Sequence, residues 1–141
     1  MEQDRTKILL IEDNPKDVRL VKELLKKSKG LNFEIAHVDR LSKSLNLLSS
    51  QEFHIVILDL SLPDCIGLET FKKIREHSPT IPIIVLMGSH LHCTDITQSR
   101  DGAQNYLIKE EIDSSLLTNS ILAAINNYNI FKKLSTHFVV A

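Results

Sequence analysis

The sequence lacks the features that mark secreted, disulfide-bonded and membrane-spanning proteins. Its two cysteines, Cys65 and Cys93, are too few for a disulfide framework and form no CxxC motif, so we expect both thiols to be reduced. No apolar run approaches the roughly 20 residues that a helix needs to cross a bilayer. The N-terminus, "MEQDRTK", is charged and does not resemble a signal peptide. We therefore expect a cytoplasmic protein that has no membrane partner.

The sequence also lacks an excess of either charge. Its formal net charge of −1 provides no general attraction to nucleic acid or to anionic lipid. No helix-turn-helix pattern follows the main domain, so we expect this domain not to bind nucleic acid. Repeats and low-complexity tracts are absent too. The apolar fraction of 43% and the charged fraction of 25% are typical of a globular domain, and 141 residues are enough for one core.

Apolar runs alternate with helical patterns along the chain. The predicted strands are Lys7–Asp13, Phe33–Val38, Phe53–Asp59, Ile81–Met87 and Ala103–Lys109. The predicted helices start at Pro15, at Leu41 and at Leu68, with a short helix between residues 88 and 102 and a last helix from about Asp113 to about Phe131. Five continuous apolar strands that alternate with helices indicate an α/β fold, in which a doubly wound parallel sheet carries helices on both faces.

The C-terminal residues do not extend this pattern. We predict one domain over residues 1–131 and interpret residues 132–141, which include "STHFVVA", as a tail or a linker remnant.

Charged side chains stand at the carboxyl ends of three predicted strands. Glu12 and Asp13 end the first strand, Asp59 ends the third and Lys109 ends the fifth. Ligands of open parallel sheets bind beyond the carboxyl ends of the strands, where these side chains would meet. Like charges at close range oppose ionisation, and a hard divalent cation such as Mg²⁺ would compensate for them. The lysine would offer a positive charge to a phosphoryl group.

Four stretches carry a resemblance to a known family. "ILLIEDNPKDVRLV", "VILDLSLPDCIGLE", "IPIIVLMGS" and "GAQNYLIK" occur in this order. Together they resemble the receiver domain of two-component response regulators, including the single-domain (CheY-like) chemotaxis type, over about Lys7 to Phe131. The resemblance implies a flavodoxin-like, five-stranded parallel sheet with strand order 2-1-3-4-5.

The resemblance also implies a role for each residue of the predicted site. Asp59 would be the phosphoacceptor. Glu12, Asp13 and Asp59, together with the main-chain carbonyl of Ser61, would hold Mg²⁺, with Asp13 a more direct ligand than Glu12. Lys109 would contact the phosphoryl group.

The partners follow from the same resemblance. The phosphoryl group would come from a histidine kinase or a histidine phosphotransfer protein. The signal would pass to a downstream protein or to a fused output domain. The domain would catalyse only its own phosphorylation and dephosphorylation, so we do not expect an enzyme that acts on other substrates.

The fourth predicted strand departs from the family pattern. Relatives have Thr or Ser followed by a small residue, whereas this chain has Met87 followed by Gly88. Methionine cannot donate a hydrogen bond to a phosphoryl oxygen, and Ser89 lies two residues beyond that position. Tyr106 matches the aromatic switch position of the family. The alternative hypothesis is therefore a protein-binding module in which Met87 weakens phosphorylation-dependent switching.

Three further hypotheses fit the sequence less well. A phosphatase of the haloacid-dehalogenase type would need a second acid two residues after Asp59, where this chain has Ser61. A flavodoxin-like cofactor binder would need a glycine- or hydroxyl-rich first loop, whereas "EDNPKD" would repel a phosphate. A metal site at His90, His92 and Cys93 lacks a partner cluster.

Overall fold

The computed structural model describes residues 5–28, 31–62, 65–88 and 105–140. The strands are β1 (Thr6–Ile11), β2 (Phe33–Val38), β3 (Ile55–Asp59), β4 (Ser61–Leu62), β5 (Cys65–Ile66), β6 (Ile83–Met87) and β7 (Asn105–Ile108). The α-helices are α1 (Pro15–Lys26), α2 (Leu41–Ser50), α3 (Leu68–His77) and α4 (Ser114–Val140), and a 3₁₀ turn spans Lys109–Glu111.

Five parallel strands form the main sheet in the order β2-β1-β3-β6-β7. Counted along the chain, this order is 2-1-3-4-5, so the predicted flavodoxin-like fold is confirmed. The strand order reverses beside β1, and β1 and β3 are neighbours at that switch point. Their carboxyl ends therefore lie next to each other, where a parallel sheet of this kind binds its ligands.

Two apolar clusters cover the two faces of the sheet, as the continuous apolar strands predict. In β1, Ile8 and Leu10 belong to one cluster, whereas Leu9 and Ile11 belong to the other. The first cluster contains the buried faces of α1 and α4, and the second contains those of α2 and α3. In both central strands the apolar run ends in an acid, because Glu12 follows β1 directly and Asp59 is the last residue of β3.

Two of the helices, α1 and α4, begin at a side-chain cap. Asn14 Oδ1 accepts a hydrogen bond from the Lys16 amide at 2.9 Å, and Pro15 is the first residue of α1, as predicted. Asp113 Oδ1 accepts one from the Leu116 amide at 2.8 Å at the start of α4. The N-terminal end of α1 thereby lies at the same sheet edge as the residues that follow β1.

Three local features differ from the predictions or lie beyond them. Helix α4 continues to Val140, so the predicted end near Phe131 is wrong; no glycine or proline between 114 and 140 interrupts it. An antiparallel pair, β4 with β5, follows β3 and was not predicted, because each strand has only two residues. The helix predicted between residues 88 and 102 falls almost entirely outside the described residues.

Within the described ranges, no helix is both long and apolar enough to cross a membrane.

Candidate functional site

Three carboxylates converge beyond the ends of β1 and β3. The register of the two strands pairs Ile11 with Leu58, so the acids that follow these positions are neighbours. Glu12 is completely buried, Asp59 is 3% exposed and Asp13 is exposed. One carboxylate oxygen from each of the three acids lies within 4.8 Å of the other two. The expected convergence of these side chains is therefore present.

Both the main chain and the side chain of Glu12 are fixed by hydrogen bonds. Its amide donates to the Val38 carbonyl at 3.0 Å, and its carbonyl accepts from Nε2 of His37 at 2.7 Å. Its Oε2 atom accepts from the Asn14 amide at 3.2 Å. The chain after β1 is thus tied to β2 on one side and to the start of α1 on the other, which fixes the direction of the buried carboxylate.

Lys109 provides the positive charge of the site. It follows β7 directly, and its Nζ atom lies 3.1 Å from Oε1 of Glu12 and 3.5 Å from Oδ1 of Asp59. The ammonium also donates a hydrogen bond to Oδ2 of Asp17 at 2.8 Å. One partly buried cation is therefore shared by three carboxylates that come from β3, from the loop after β1 and from the first turn of α1.

Burial and crowding change the protonation equilibria of this cluster. Burial, a hydrogen bond with Asp59 and the negative charge of Asp59 raise the pKa of Glu12 to about 8, although Lys109 opposes this shift. Burial alone would lower the pKa of Lys109, but its contacts with Asp17, Asp59 and Glu12 outweigh burial and raise it above the usual value. Burial and crowding therefore favour a protonated Glu12 beside a charged Lys109 in the metal-free site.

The acids meet the requirements of a small divalent cation. The three carboxylate oxygens lie within 4.8 Å of one another. On one magnesium ion, trans oxygens are about 4.2 Å apart and cis oxygens about 3 Å apart, so the carboxylates would have to close in around a bound ion. Among the described residues, Oε1 of Glu12 is a buried oxygen with no hydrogen-bond partner, although the Lys109 ammonium is nearby. An oxygen-only donor set with one exposed member suits Mg²⁺, which keeps several of its waters.

An open cavity of about 640 Å³ lies over these side chains, and Asp13, Asp59, Gly88 and Lys109 contribute to its wall. Asp59, at the end of the central strand, is therefore held by a rigid sheet and faces space that a second molecule can enter. A carboxylate held in this way can act as a nucleophile.

The predicted switch positions Met87 and Gly88 lie at the carboxyl end of β6, and Tyr106 lies in the neighbouring strand β7. Met87 is completely buried within the apolar cluster of α2 and α3, and half-buried Tyr106 packs against the same cluster. Gly88 contributes to the cavity wall. Ser89 lies outside the described residues. Met87 and Tyr106 thus belong to the same apolar layer, and the strand register pairs Tyr106 with Val85.

The chain after Asp59 folds back on itself before α3. Ser61 pairs with Ile66 in the short antiparallel ladder, and the Gly67 amide donates to the Leu60 carbonyl at 2.6 Å. Gly67 has φ +79° and ψ −155°, a conformation that is essentially restricted to glycine. The predicted role of the Ser61 carbonyl as a metal ligand remains a prediction.

Two residues of this site were not predicted from the sequence. Asp17 contacts Lys109, and His37 donates to the carbonyl of Glu12. An acid four residues after Asp13, on the first turn of the helix that starts at this edge, was a signal for Asp17. A histidine near a strand end gave no comparable signal for His37.

Comparisons with known proteins agree with the geometry. The chain matches the family described as "Response regulator receiver domain" over residues 8–121. It is 32% identical to the photosynthetic apparatus regulatory protein RegA of Rhodobacter capsulatus over 120 residues, which cover 85% of this chain and 62% of RegA. It is 30% identical to the cell cycle transcriptional regulator CtrA of Caulobacter vibrioides over 103 residues, which cover 73% of this chain and 43% of CtrA.

Solved structures give the same result. The Mn²⁺-bound form of response regulator Rcp1 superposes with a TM-score of 0.64 at 27% identity and covers 86% of this chain and 90% of its own. The phosphorylated cyanobacterial phytochrome response regulator RcpA superposes with a TM-score of 0.65 at 27% identity and covers 84% of this chain and 89% of its own. The chain spans less than two thirds of the length of RegA or CtrA. It belongs to the family of response regulator receiver domains of two-component systems.

Proposed function

We propose that this receiver domain takes a phosphoryl group onto Asp59 from a phosphohistidine of a histidine kinase or of a histidine phosphotransfer protein. The observation that carries the proposal is the position of Asp59. Its carboxylate is almost completely buried at the end of a central strand, 3.5 Å from the Lys109 ammonium and at the wall of an open cavity.

In the proposed reaction, a carboxylate oxygen of Asp59 attacks the phosphorus atom in line with the P–N bond of the phosphohistidine. The new O–P bond forms as the P–N bond breaks, and the imidazole nitrogen leaves and takes up a proton from solvent. The product on Asp59 is an acyl phosphate, which water later hydrolyses. The rigid end of β3 orients the nucleophile, and Lys109 offsets the charge on the transferred group.

The acids around Asp59 would hold a metal ion for this reaction. Glu12, Asp13 and Asp59 would be its side-chain ligands, and the main-chain carbonyl of Ser61 would be a further one. Mg²⁺ in this position would neutralise charge on the phosphoryl oxygens. The spacing of the three acids supports this assignment, as does the similarity to a regulator whose Mn²⁺-bound form has been solved.

The output of the domain would be a change in its partner-binding surface. CtrA is named a transcriptional regulator, and this chain aligns with only 43% of its length. We infer that the phosphorylated domain acts on a downstream protein or on a fused output domain. It would catalyse only its own phosphorylation and dephosphorylation.

A second candidate function is a protein-binding module with a weakened switch. Met87 favours it, because this completely buried side chain lies in the cluster against which Tyr106 packs. A methionine cannot form the hydrogen bond to a phosphoryl oxygen that a Thr or Ser provides. Under this alternative, Asp59 is phosphorylated but the affinity for the partner changes little.

The test is labelling of the purified protein with a radioactive small-molecule phosphodonor such as phosphoramidate, with and without Mg²⁺. We expect Mg²⁺-dependent label that Asp59→Asn abolishes. The matched control is Asp39→Asn, which removes a carboxylate whose side chain is 43% exposed and which lies outside the acidic cluster. Unlabelled wild-type protein, or equal label in the Asp59→Asn variant, would exclude Asp59 as the phosphoacceptor.

A further inference from the structure

The carboxylate closest to Lys109 is not the proposed nucleophile. Oδ2 of Asp17 lies 2.8 Å from the Lys109 Nζ atom and accepts a hydrogen bond from it, whereas Oδ1 of Asp59 is 3.5 Å away. The Asp17 side chain is 24% exposed and that of Asp59 is 4% exposed. The ammonium is therefore drawn toward the rim of the cavity, away from the oxygen that would attack phosphorus.

We propose that Asp17 is a positioning residue, which holds Lys109 in the unphosphorylated domain and releases it to the phosphoryl group once Asp59 is modified. This inference rests on the proposed function. On this proposal, the ion pair between Lys109 and Asp17, in the first turn of α1, is present in the unphosphorylated domain and broken in the phosphorylated one.

The distances allow this exchange of partners. A phosphoryl group on Asp59 would place oxygens beyond the carboxylate, on the side where Lys109 already lies. A lysine ammonium is a compact point charge on a flexible stem, so a small rotation of the side chain brings it from one anion to another. A phosphoryl group carries more charge than one carboxylate and competes for the cation accordingly.

The exchange has an energetic consequence for the phosphorylated state. Once Lys109 has moved, Asp17 is left as an anion near the phosphoryl group and without its 2.8 Å partner. Like charges in a partly buried site repel each other. Asp17 therefore disfavours the phosphorylated state, and its neutral isostere should bind a phosphoryl mimic more tightly than the wild-type protein does.

The consequence for conformation concerns α1. Asp17 is the third residue of that helix, so the loss of its ion pair changes the contacts of the helix N-terminus. We therefore expect the phosphoryl mimic to change the surroundings of Asp17 directly. This change does not need the hydroxyl contact at the end of β6, which Met87 cannot provide.

The first measurement is the affinity for beryllium fluoride, a phosphoryl mimic, in the presence of Mg²⁺. Asp17→Asn should bind it about three to ten times more tightly than wild type, as expected for a charge-assisted pair in a partly buried site. Asp17→Glu keeps the charge and should remain within about twofold of wild type. The matched control is Glu23→Gln, which removes an exposed negative charge from the same helix.

The second measurement does not depend on affinity. The side-chain carboxyl ¹³C resonance of Asp17 should shift when the mimic binds, because its cationic partner leaves. If Asp17→Asn and Glu23→Gln give the same affinity, or if the Asp17 resonance does not move in the mimic-bound protein, the inference is overturned while the proposed function stands. A wild-type protein that neither binds the mimic nor takes up label overturns both.

Discussion

The Nζ atom of Lys109 lies 3.1 Å from Oε1 of Glu12, a carboxylate that is completely buried. The same ammonium contacts Asp17 and Asp59, so one cation offsets three acids. Even with this cation present, the pKa of Glu12 is raised to about 8, because burial and the proximity of Asp59 disfavour a second buried negative charge. The site is therefore under-neutralised without a metal ion, and its stability and cation affinity should both depend on pH.

Stability should fall with rising pH in metal-free protein. The pKa of Glu12 is about 8 in the folded protein and near its ordinary value of 4.5 when unfolded. The folded state thus binds the proton more tightly. Its contribution to stability is fully present below pH 4.5 and is lost as the pH rises to about 8. Urea unfolding in EDTA should show a decrease on the order of a few kcal/mol across this range.

The control for this prediction is Glu12→Gln, which keeps the size of the side chain and cannot titrate. The difference in free energy of unfolding between wild type and this variant should follow the titration of one group. If that difference is constant from pH 5 to pH 8, with both limits approximate, the assignment of a raised pKa to Glu12 is wrong.

Magnesium affinity should rise with pH. A proton on Glu12 competes with the cation, so binding releases that proton whenever the pH lies below about 8. The apparent dissociation constant, from isothermal titration calorimetry, should fall by up to about tenfold for each pH unit below this pKa and then level off. Calorimetry in two buffers of different ionisation enthalpy should detect the released proton. The same dissociation constant at about pH 6 and about pH 8 would contradict this prediction.

Gly67→Ala should destabilise the domain through the backbone alone. The residue has φ +79° and ψ −155°, yet a Cβ atom built on it would meet no heavy atom of the described residues within 4 Å, its two chain neighbours aside. The cost therefore comes from the conformation, and we expect about 1–3 kcal/mol in urea unfolding. An unchanged free energy of unfolding would show that the turn before α3 adapts to a side chain without strain.

Met87→Thr should strengthen the coupling of Asp59 to Tyr106. The chain has two tyrosines and no tryptophan, so Tyr128→Phe leaves Tyr106 as its single tyrosine fluorophore. In that background, Met87→Thr should increase the fluorescence change that beryllium fluoride produces, because threonine supplies the hydroxyl donor that methionine lacks.

Met87→Val is the matched control for this experiment, since valine has the shape of threonine without its hydroxyl. Both substitutions shorten a completely buried side chain. Valine should cost roughly 1–3 kcal/mol of stability, and threonine more, because it also buries a hydroxyl. An equal fluorescence response from the two variants would show that the missing hydroxyl does not limit switching in this domain.

Much of the fold could be predicted because the relevant signals are local. The apolar runs in β1, β3 and β6 have the length of buried strands, and Asn14 with Pro15 marks the start of α1. The end of α4 could not be placed, because no glycine or proline marks it. The β4–β5 pair was missed because two-residue strands carry no periodicity.

The sequence alone determined that charged residues stand at the carboxyl ends of three strands, namely Glu12, Asp13, Asp59 and Lys109. The length of an apolar run and the charged residue that ends it are both local features of the sequence. Only the tertiary structure decided that Asp17, 92 residues before Lys109, is the acid closest to that lysine, and that Glu12 rather than Asp13 is completely buried. Ion-pair partners and pKa values depend on distance and desolvation, and these are fixed only when the strands and helices pack together.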